Sequence, residues 1–213
     1  MSIPAIPPRP APKPGRVKAF KALFTYQAQQ PDELSFEEGD VLYVGDNGVE
    51  GAWWRATCRG KSGLIPSNYV AENTEPIDFP LHEAARRGNV EFLSECLRSG
   101  VSVNSLDKSG STALYWAAHG GHMECMKILM AIPRISLDAV NKLGDTALHA
   151  AAWKGHETAV ALLLEHGADP NIANNEHKLP LQLATSPQTA ALLQRITTGP
   201  RPQDNGYLDS DSD

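Results

Sequence analysis

Two periods of hydrophobic positions divide this chain. Between residues 18 and 72, apolar and polar residues come in short runs, among them Val41-Leu42-Tyr43-Val44 and Trp54-Arg55-Ala56-Thr57-Cys58. A period of two sends successive side chains to opposite faces of a strand. Glycine-bearing stretches separate the runs, Gly45 to Gly51 and Arg59-Gly60-Lys61-Ser62-Gly63, and are expected to be turns. Short strands parted in this way predict a small all-β barrel. From about residue 76 the texture changes to alanine, leucine and helical spacing, so a second, all-α domain follows.

An internal repeat organises the helical part. Pro80-Leu81-His82, Ala113-Leu114-Tyr115, Ala147-Leu148-His149 and Pro180-Leu181-Gln182 recur at steps of 33, 34 and 33 residues. Small pairs follow in phase (Ala84-Ala85, Ala117-Ala118, Ala151-Ala152, Ala184-Thr185), then Gly88-Asn89, Gly121-His122 and Gly155-His156. A second amphipathic helix comes next, as in Val90, Phe92, Leu93, Cys96 and Leu97, and closes at Gly100 or Gly167. Thr112 and Thr146 stand where a side chain caps the first helix, and the alanines leave room for a neighbouring helix. One helix pair cannot bury its apolar face alone, so the pairs must stack into a solenoid. Units 104–139 and 138–171 are regular. The first, about 76–103, has Phe79 in place of threonine, and the last, about 172–197, has Ser186-Pro187 in place of Gly-His. Four units with degenerate outer caps are expected within 76–197.

Outside these domains the composition differs. Residues 1–16 hold six prolines (Pro4, Pro7, Pro8, Pro10, Pro12, Pro14) among small or basic neighbours, which predicts an extended polyproline-II arm. Residues 199–213 are polar and acidic, ending Asp209-Ser210-Asp211-Ser212-Asp213, and carry too little apolar surface to offset ordering entropy. Ser210 and Ser212 among aspartates suit an acid-directed kinase. Ala71 to Ile77 reads as a short linker.

The net charge of −6 is unevenly placed: residues 1–18 have four bases and no acid, residues 19–72 four bases against eight acids, and residues 73–198 ten against thirteen. No folded segment is basic, so nucleic acid is not an expected partner. No run approaches the ~18 apolar residues of a membrane span, and no apolar leader opens the chain. The three cysteines, Cys58, Cys96 and Cys125, are scattered and expected to be free, buried thiols of a reduced, cytoplasmic protein. His119, His122 and Cys125 are three residues apart, but the repeat accounts for them and no fourth ligand recurs, so no metal is expected. No Ser/His/Asp set, phosphate loop or carboxylate pair stands out, so neither catalysis nor a cofactor is expected.

Residues 22–26, Ala-Leu-Phe-Thr-Tyr, resemble the Ala-Leu-Tyr-Asp-Tyr opening of SH3 domains. The likeness continues through Asp32-Glu33-Leu34-Ser35-Phe36-Glu37-Glu38-Gly39-Asp40, the Trp53-Trp54 pair, and Gly63-Leu64-Ile65-Pro66-Ser67-Asn68-Tyr69-Val70. The repeat half equally resembles the ankyrin family, in which Thr-Pro-Leu-His opens the first helix of each unit. The order of proline-rich arm, SH3 domain at 18–72, ankyrin stack and acidic tail resembles a family of signalling adaptors.

The SH3 resemblance implies a groove for proline-rich peptides. Phe24, Tyr26, Trp53, Pro66 and Tyr69 would form its ridges, and Trp53 and Asn68 would donate hydrogen bonds to ligand carbonyls. Asp32, Glu33 and Glu50 would meet a basic residue flanking the ligand's prolines. Trp54, one residue on, has the opposite strand phase and is expected in the core. Phe24 lacks the usual tyrosine hydroxyl, and Leu64 stands where several SH3 domains carry tyrosine. The ankyrin resemblance places Arg86, Arg87, His119, Trp153 and Lys154 near the concave face, with Lys108, Ser111, Lys142 and Asp145 on turn tips; Trp116 is expected to be half-buried. Pro4-x-x-Pro7 and Pro7-x-x-Pro10, with Arg9 and Lys13, could serve as a ligand for another SH3 domain, as a weak one for this chain's own, or simply as a tether. The expected function is that of a monomeric, non-enzymatic adaptor with one partner per module. The rival is a regulatory subunit that docks on an enzyme through its repeats and inhibits it.

Overall fold

The computed structural model describes residues 17–50 and 52–198, with the side chains of 46–50 and of Thr198 outside that description. The proline-rich arm, the tail with Ser210 and Ser212, and the Glu50 side chain therefore lie outside the described residues. Two compact units are present. One takes the chain up to Leu81 together with Glu91–Ser102; the other takes His82–Val90 and the chain from Val103 onward.

The first unit is built on five antiparallel strands, β1 (Lys18–Ala22), β2 (Val41–Glu50), β3 (Trp53–Cys58), β4 (Lys61–Pro66) and β5 (Thr74–Ile77), in the order β4-β3-β2-β1-β5. A short helix α1 (Ser67–Asn73) joins β4 to β5. The core is Ala22, Leu34, Phe36, Leu42, Val44, Ala56, Cys58, Ile65 and Val70. The period of two reappears here: Leu42 and Val44 point into this core and Tyr43 points away from it. Yet Tyr43 is only 2% exposed. Helix α3 (Val90–Arg98) accounts for this, since Cys96 Sγ lies 3.5 Å from the Tyr43 hydroxyl and Glu95 accepts from the Arg59 backbone N–H at 3.3 Å. Both faces of β2 are thus covered. Burial first, then neighbouring acids, pushes the Cys58 thiol up to about 12. Burial likewise pushes Cys96 up to about 11, so both stay protonated and unreactive at neutral pH.

Three local expectations change. Pairing on β2 continues to Glu50, with the irregularity confined between Val44 and Val49, so Gly45 to Glu50 is an irregular strand rather than a turn, and Gly51 lies outside the described residues. The β3–β4 turn contracts to Arg59 and Gly60, both at positive φ (47° and 75°) as a two-residue hairpin requires, while Lys61 to Gly63 pair with β3. The stretch read as a linker is the end of α1 and the edge strand β5. Pro76 is tolerated there because an edge strand need not donate on both sides.

The second unit contains α4 (Ala113–Gly120), α5 (Met123–Met130), α6 (Ala147–Lys154), α7 (Glu157–Glu165), the single turn α8 (Pro180–Leu183) and α9 (Pro187–Thr198). Most of α2 (Pro80–Arg87) belongs to it as well. Ala117, Ala118, Ala151 and Ala152 are fully buried, which is what lets α4 and α6 lie side by side. Thr112 and Thr146 cap as expected, accepting from the backbone N–H of Tyr115 and His149. Gly121, at φ 67°, ends α4, and a Cβ there would lie 3.0 Å from the His156 ring. That ring is held by the His119 carbonyl at 3.2 Å, and His122 meets the Arg86 carbonyl at 3.0 Å. The Gly-His pairs are therefore links between successive units. All three cysteines are free and buried.

Candidate functional site: an aromatic groove and an aromatic helix face

On the first unit, aromatic side chains, two of them half-buried and one in the core, gather where the long loop between β1 and β2 meets α1. Tyr26 and Phe36 form an isolated bridge, their backbones bonded at 2.9 and 3.1 Å. Their rings stack at 5.5 Å, and Tyr69 packs at 5.4 Å from each. Phe36 belongs to the core, so the two tyrosines stand on a rigid floor. Both hydroxyls are tied to the protein itself. Tyr69 donates to the Phe24 carbonyl at 2.5 Å, and Tyr26 donates to Glu33 at 2.9 Å. Burial, followed by the Glu33 carboxylate, raises the Tyr26 pKa; burial raises that of Tyr69.

The other ridge comes from the sheet. Trp53 opens β3, is 41% exposed and pairs in register with Pro66 at the end of β4. Trp54 turns the other way and packs on the core, as its strand phase requires. The Ser67 N–H donates to the Ala52 carbonyl at 2.9 Å, tying the start of α1 to the Trp53 strand. Phe24 is 59% exposed and Asn68 is exposed. The Asn68 Oδ1 takes the Tyr69 N–H at 3.0 Å, which leaves its amide N–H groups as donors.

Among the acids, Asp32 has an exposed side chain, whereas Glu33 is built into the loop. One Glu33 oxygen takes the Gln29 N–H at 2.7 Å and the Tyr26 hydroxyl at 2.9 Å. The Gln29 bond first, and the Tyr26 bond besides, hold its carboxyl below the ordinary value despite a counteracting burial effect. Nothing in the linear spacing signals this internal use of Glu33.

The loop is pressed on β4 through Gly63. Leu34 N–H donates to the Leu64 carbonyl at 2.9 Å and Leu64 N–H to the Asp32 carbonyl at 2.8 Å. A Cβ on Gly63 would sit 2.9 Å from Leu34 N and 3.0 Å from the Asp32 carbonyl oxygen. Gly63→Ala is expected to push the loop off the strand, at a cost of about 1–3 kcal/mol in stability. Denaturant unfolding measures the cost, and broadened NMR signals of residues 29–34 would report the displaced loop.

On the second unit, helices α4 and α6 present a row of rings. The Trp116 and His119 centroids are 5.6 Å apart, and those of His119 and Trp153 are 5.7 Å apart. Trp116 is half-buried as expected, and its indole donates to Asp107 at 2.7 Å. Trp153 is 50% exposed, with the Lys154 ammonium 4.3 Å from its ring centroid. Arg86 lies 5.8 Å from the Trp116 centroid, and both Arg86 and Arg87 pair with Glu83. Burial first, then Lys154, lowers the His119 pKa, so this ring is neutral at pH 7.

The turn tips differ from expectation at two positions. Ser111 is buried and Asp145 half-buried, because the Asp107 and Asn141 side chains close each tip by accepting from the N–H groups two and four residues on. Asn174 does the same for the next tip. This Asx series, 34 and 33 residues apart, is a repeat signal the residue pattern carries and sequence reasoning missed. Among the described residues, no group of three or more His, Cys, Asp or Glu could hold a metal ion, and no helix is long and apolar enough to cross a membrane.

The SH3 domain family model matches residues 21–67, and the ankyrin repeats model, three copies, matches 81–189. Osteoclast-stimulating factor 1 of Rattus norvegicus is 55% identical over 212 residues, covering 97% of this chain and 98% of that protein. The chain belongs to the osteoclast-stimulating factor 1 family. The protein of that name in Xenopus laevis is 59% identical over 189 residues, covering 89% of this chain and 87% of its own length. The Monopterus albus protein is 56% identical over 209 residues, covering 96% and 97%. Both modules of an osteoclast-stimulating factor 1 are protein-interaction domains, and this family member has the architecture of an interaction adaptor.

Proposed function

We propose that this chain is a cytoplasmic, monomeric, non-enzymatic adaptor that holds a proline-rich peptide in the SH3 groove and a second protein on the ankyrin face. One observation carries the first half: Trp53 is 41% exposed and Tyr26 and Tyr69 are only half-buried, while both tyrosine hydroxyls are spent on the protein's own groups. A polyproline-II ligand, with three residues per turn and an open backbone, fits between such fixed apolar ridges. Asp32, Glu33 and Glu50 supply the acidic side, and Trp53 and Asn68 the donors. Affinity of a single site is modest, about micromolar or roughly −8 kcal/mol. Two such sites on one chain gain by effective concentration. The family name supports a role in osteoclast formation and bone-resorption signalling. Ser210 and Ser212, set among aspartates, are the candidate phosphorylation sites.

The test is a pull-down with the full chain, Trp53→Ala and Trp153→Ala. The adaptor reading expects each variant to lose a different protein while keeping the other. A single enzyme that is lost from both and inhibited by the bound chain would replace this reading with an inhibitory subunit. If the basic arm masks its own groove, removing residues 1–16 strengthens peptide binding and shifts the Trp53 indole NMR signal; unchanged affinity and shifts reject self-masking.

A further inference from the structure

Arg86, His119 and Trp153 occupy one phase of the repeat, 33 and 34 residues apart, so stacking sets them side by side across three successive units. The His119 and Trp153 rings are 5.7 Å apart and tilted by 50°, and those of Trp116 and His119 are 5.6 Å apart and tilted by 66°. The row is thus open and stepped rather than closed into a stack. Trp153, half exposed at its end, is larger than the packing of α6 on its neighbours requires.

A row of aromatic rings can take a cationic ligand on its faces or an apolar side chain between them. The charges here decide between these. The two tryptophan rings already carry the protein's own cations, Lys154 over Trp153 and Arg86 beside Trp116. An arriving cation would meet like charge at both places. Three cations, Arg86, Arg87 and Lys154, stand with three carboxylates, Glu83, Asp107 and Asp145, each of which is engaged internally; Asp145 takes the Asn174 amide N–H at 2.8 Å. Glu83 is shared by the two arginines. Asp107 takes the Trp116 indole N–H at 2.7 Å, the Ser109 hydroxyl at 2.6 Å, and the backbone N–H groups of Ser109 and Ser111 at 2.8 and 2.9 Å. His119 is neutral and adds no charge to either side.

We propose that this face takes an acidic peptide segment of a partner protein, with an aromatic side chain seated against Trp153 and His119 and carboxylates paired with Lys154 and the two arginines. The proposal rests on the ankyrin face being a protein-contact surface and names the chemistry of what it contacts. Lys154 and the arginines are exposed and attached by flexible stems, so they can swing from ring or intramolecular partner to an incoming carboxylate. The barrel segment, with eight acids against four bases over residues 19–72, repels an acidic partner, so of the two modules the repeats are the one that takes it.

The test follows the indole N–H signals of the four tryptophans of the full chain by NMR. The probes are a random copolymer of glutamate and tyrosine and a copolymer of lysine and tyrosine. The glutamate–tyrosine polymer should move the Trp116 and Trp153 signals while leaving Trp53 and Trp54 in place. Its affinity should fall about fivefold or more in Trp153→Ala and in the surface variant Lys154→Glu, and weaken with added salt. The lysine–tyrosine polymer should leave Trp116 and Trp153 unmoved. Movement of those two signals by the lysine polymer would overturn the acidic class while leaving a contact face in place. No response to the glutamate polymer, or the same affinity in Lys154→Glu, would overturn the proposal outright. Proline-peptide binding at Trp53, followed in the same samples, separates that result from any failure of the adaptor reading.

Discussion

Trp53→Ala should leave a folded chain that no longer binds proline-rich peptides. Trp53 is 41% exposed, and the barrel core is completed by its neighbour Trp54, so truncating Trp53 removes ridge rather than core. In the proposed groove the indole would supply both the wall against which a polyproline-II turn packs and an N–H for a ligand carbonyl, and groups of that kind dominate small interfaces. A loss of at least about 2 kcal/mol, roughly thirtyfold in Kd, is expected. From a micromolar start this puts Kd at tens of micromolar or weaker. Calorimetric titration of a proline-rich peptide measures it, and circular dichroism with thermal melting checks that the fold is kept. Unchanged affinity in the folded variant would reject the groove assignment.

The opposite orientations of Trp53 and Trp54, and the expectations that the fold overturns elsewhere, have a common physical origin. A period of two places Trp53 and Trp54 on opposite faces whatever the tertiary detail, so their separate fates are legible from adjacent letters. The 33- and 34-residue steps do the same for the helices: His119 and Trp153 meet because a solenoid sets equal phases side by side. Strand ends are different. Lys61 and Ser62 look like turn residues, yet they pair with Cys58 and Thr57 because an edge strand accepts polar side chains. Ala71 to Ile77 looks like a linker because nothing local reveals that β1 has an unpaired edge to offer β5. Ser111 was expected on an exposed tip, but the Asp107 carboxylate folds the tip over it. Glu33 belongs to the same class, since its bonds to Tyr26 and Gln29 depend on the loop closing. Covering Tyr43 required a helix about fifty residues away in sequence, which no periodicity within a strand can announce.

In the helical unit the largest effect is expected at His149. Its Nδ1 sits 2.8 Å from the Thr146 hydroxyl and takes the Thr146 backbone N–H at 3.1 Å, closing a capping box. Its Nε2 donates to the Lys178 carbonyl at 3.1 Å, so one buried ring caps its own helix and holds the next turn tip. His149→Ala leaves the Thr146 N–H and the Lys178 carbonyl without this partner and opens a cavity, a loss of roughly 3–4 kcal/mol. The pH dependence follows from the same contacts. With Nδ1 accepting and Nε2 donating, the ring is neutral, and burial first of all lowers its pKa below the ordinary 6.5. The unfolded chain therefore takes up the proton before the folded one does. Stability from His149 is complete above about pH 6.5, declines as pH falls through that value, and stops declining below the folded pKa. His82, also lowered chiefly by burial, adds a contribution of the same sign. Denaturant unfolding at pH 7.5 and at pH 5.5 should show the intact chain losing more stability on acidification than His149→Ala does. Equal losses in the two would mean that His149 is not held neutral by the fold.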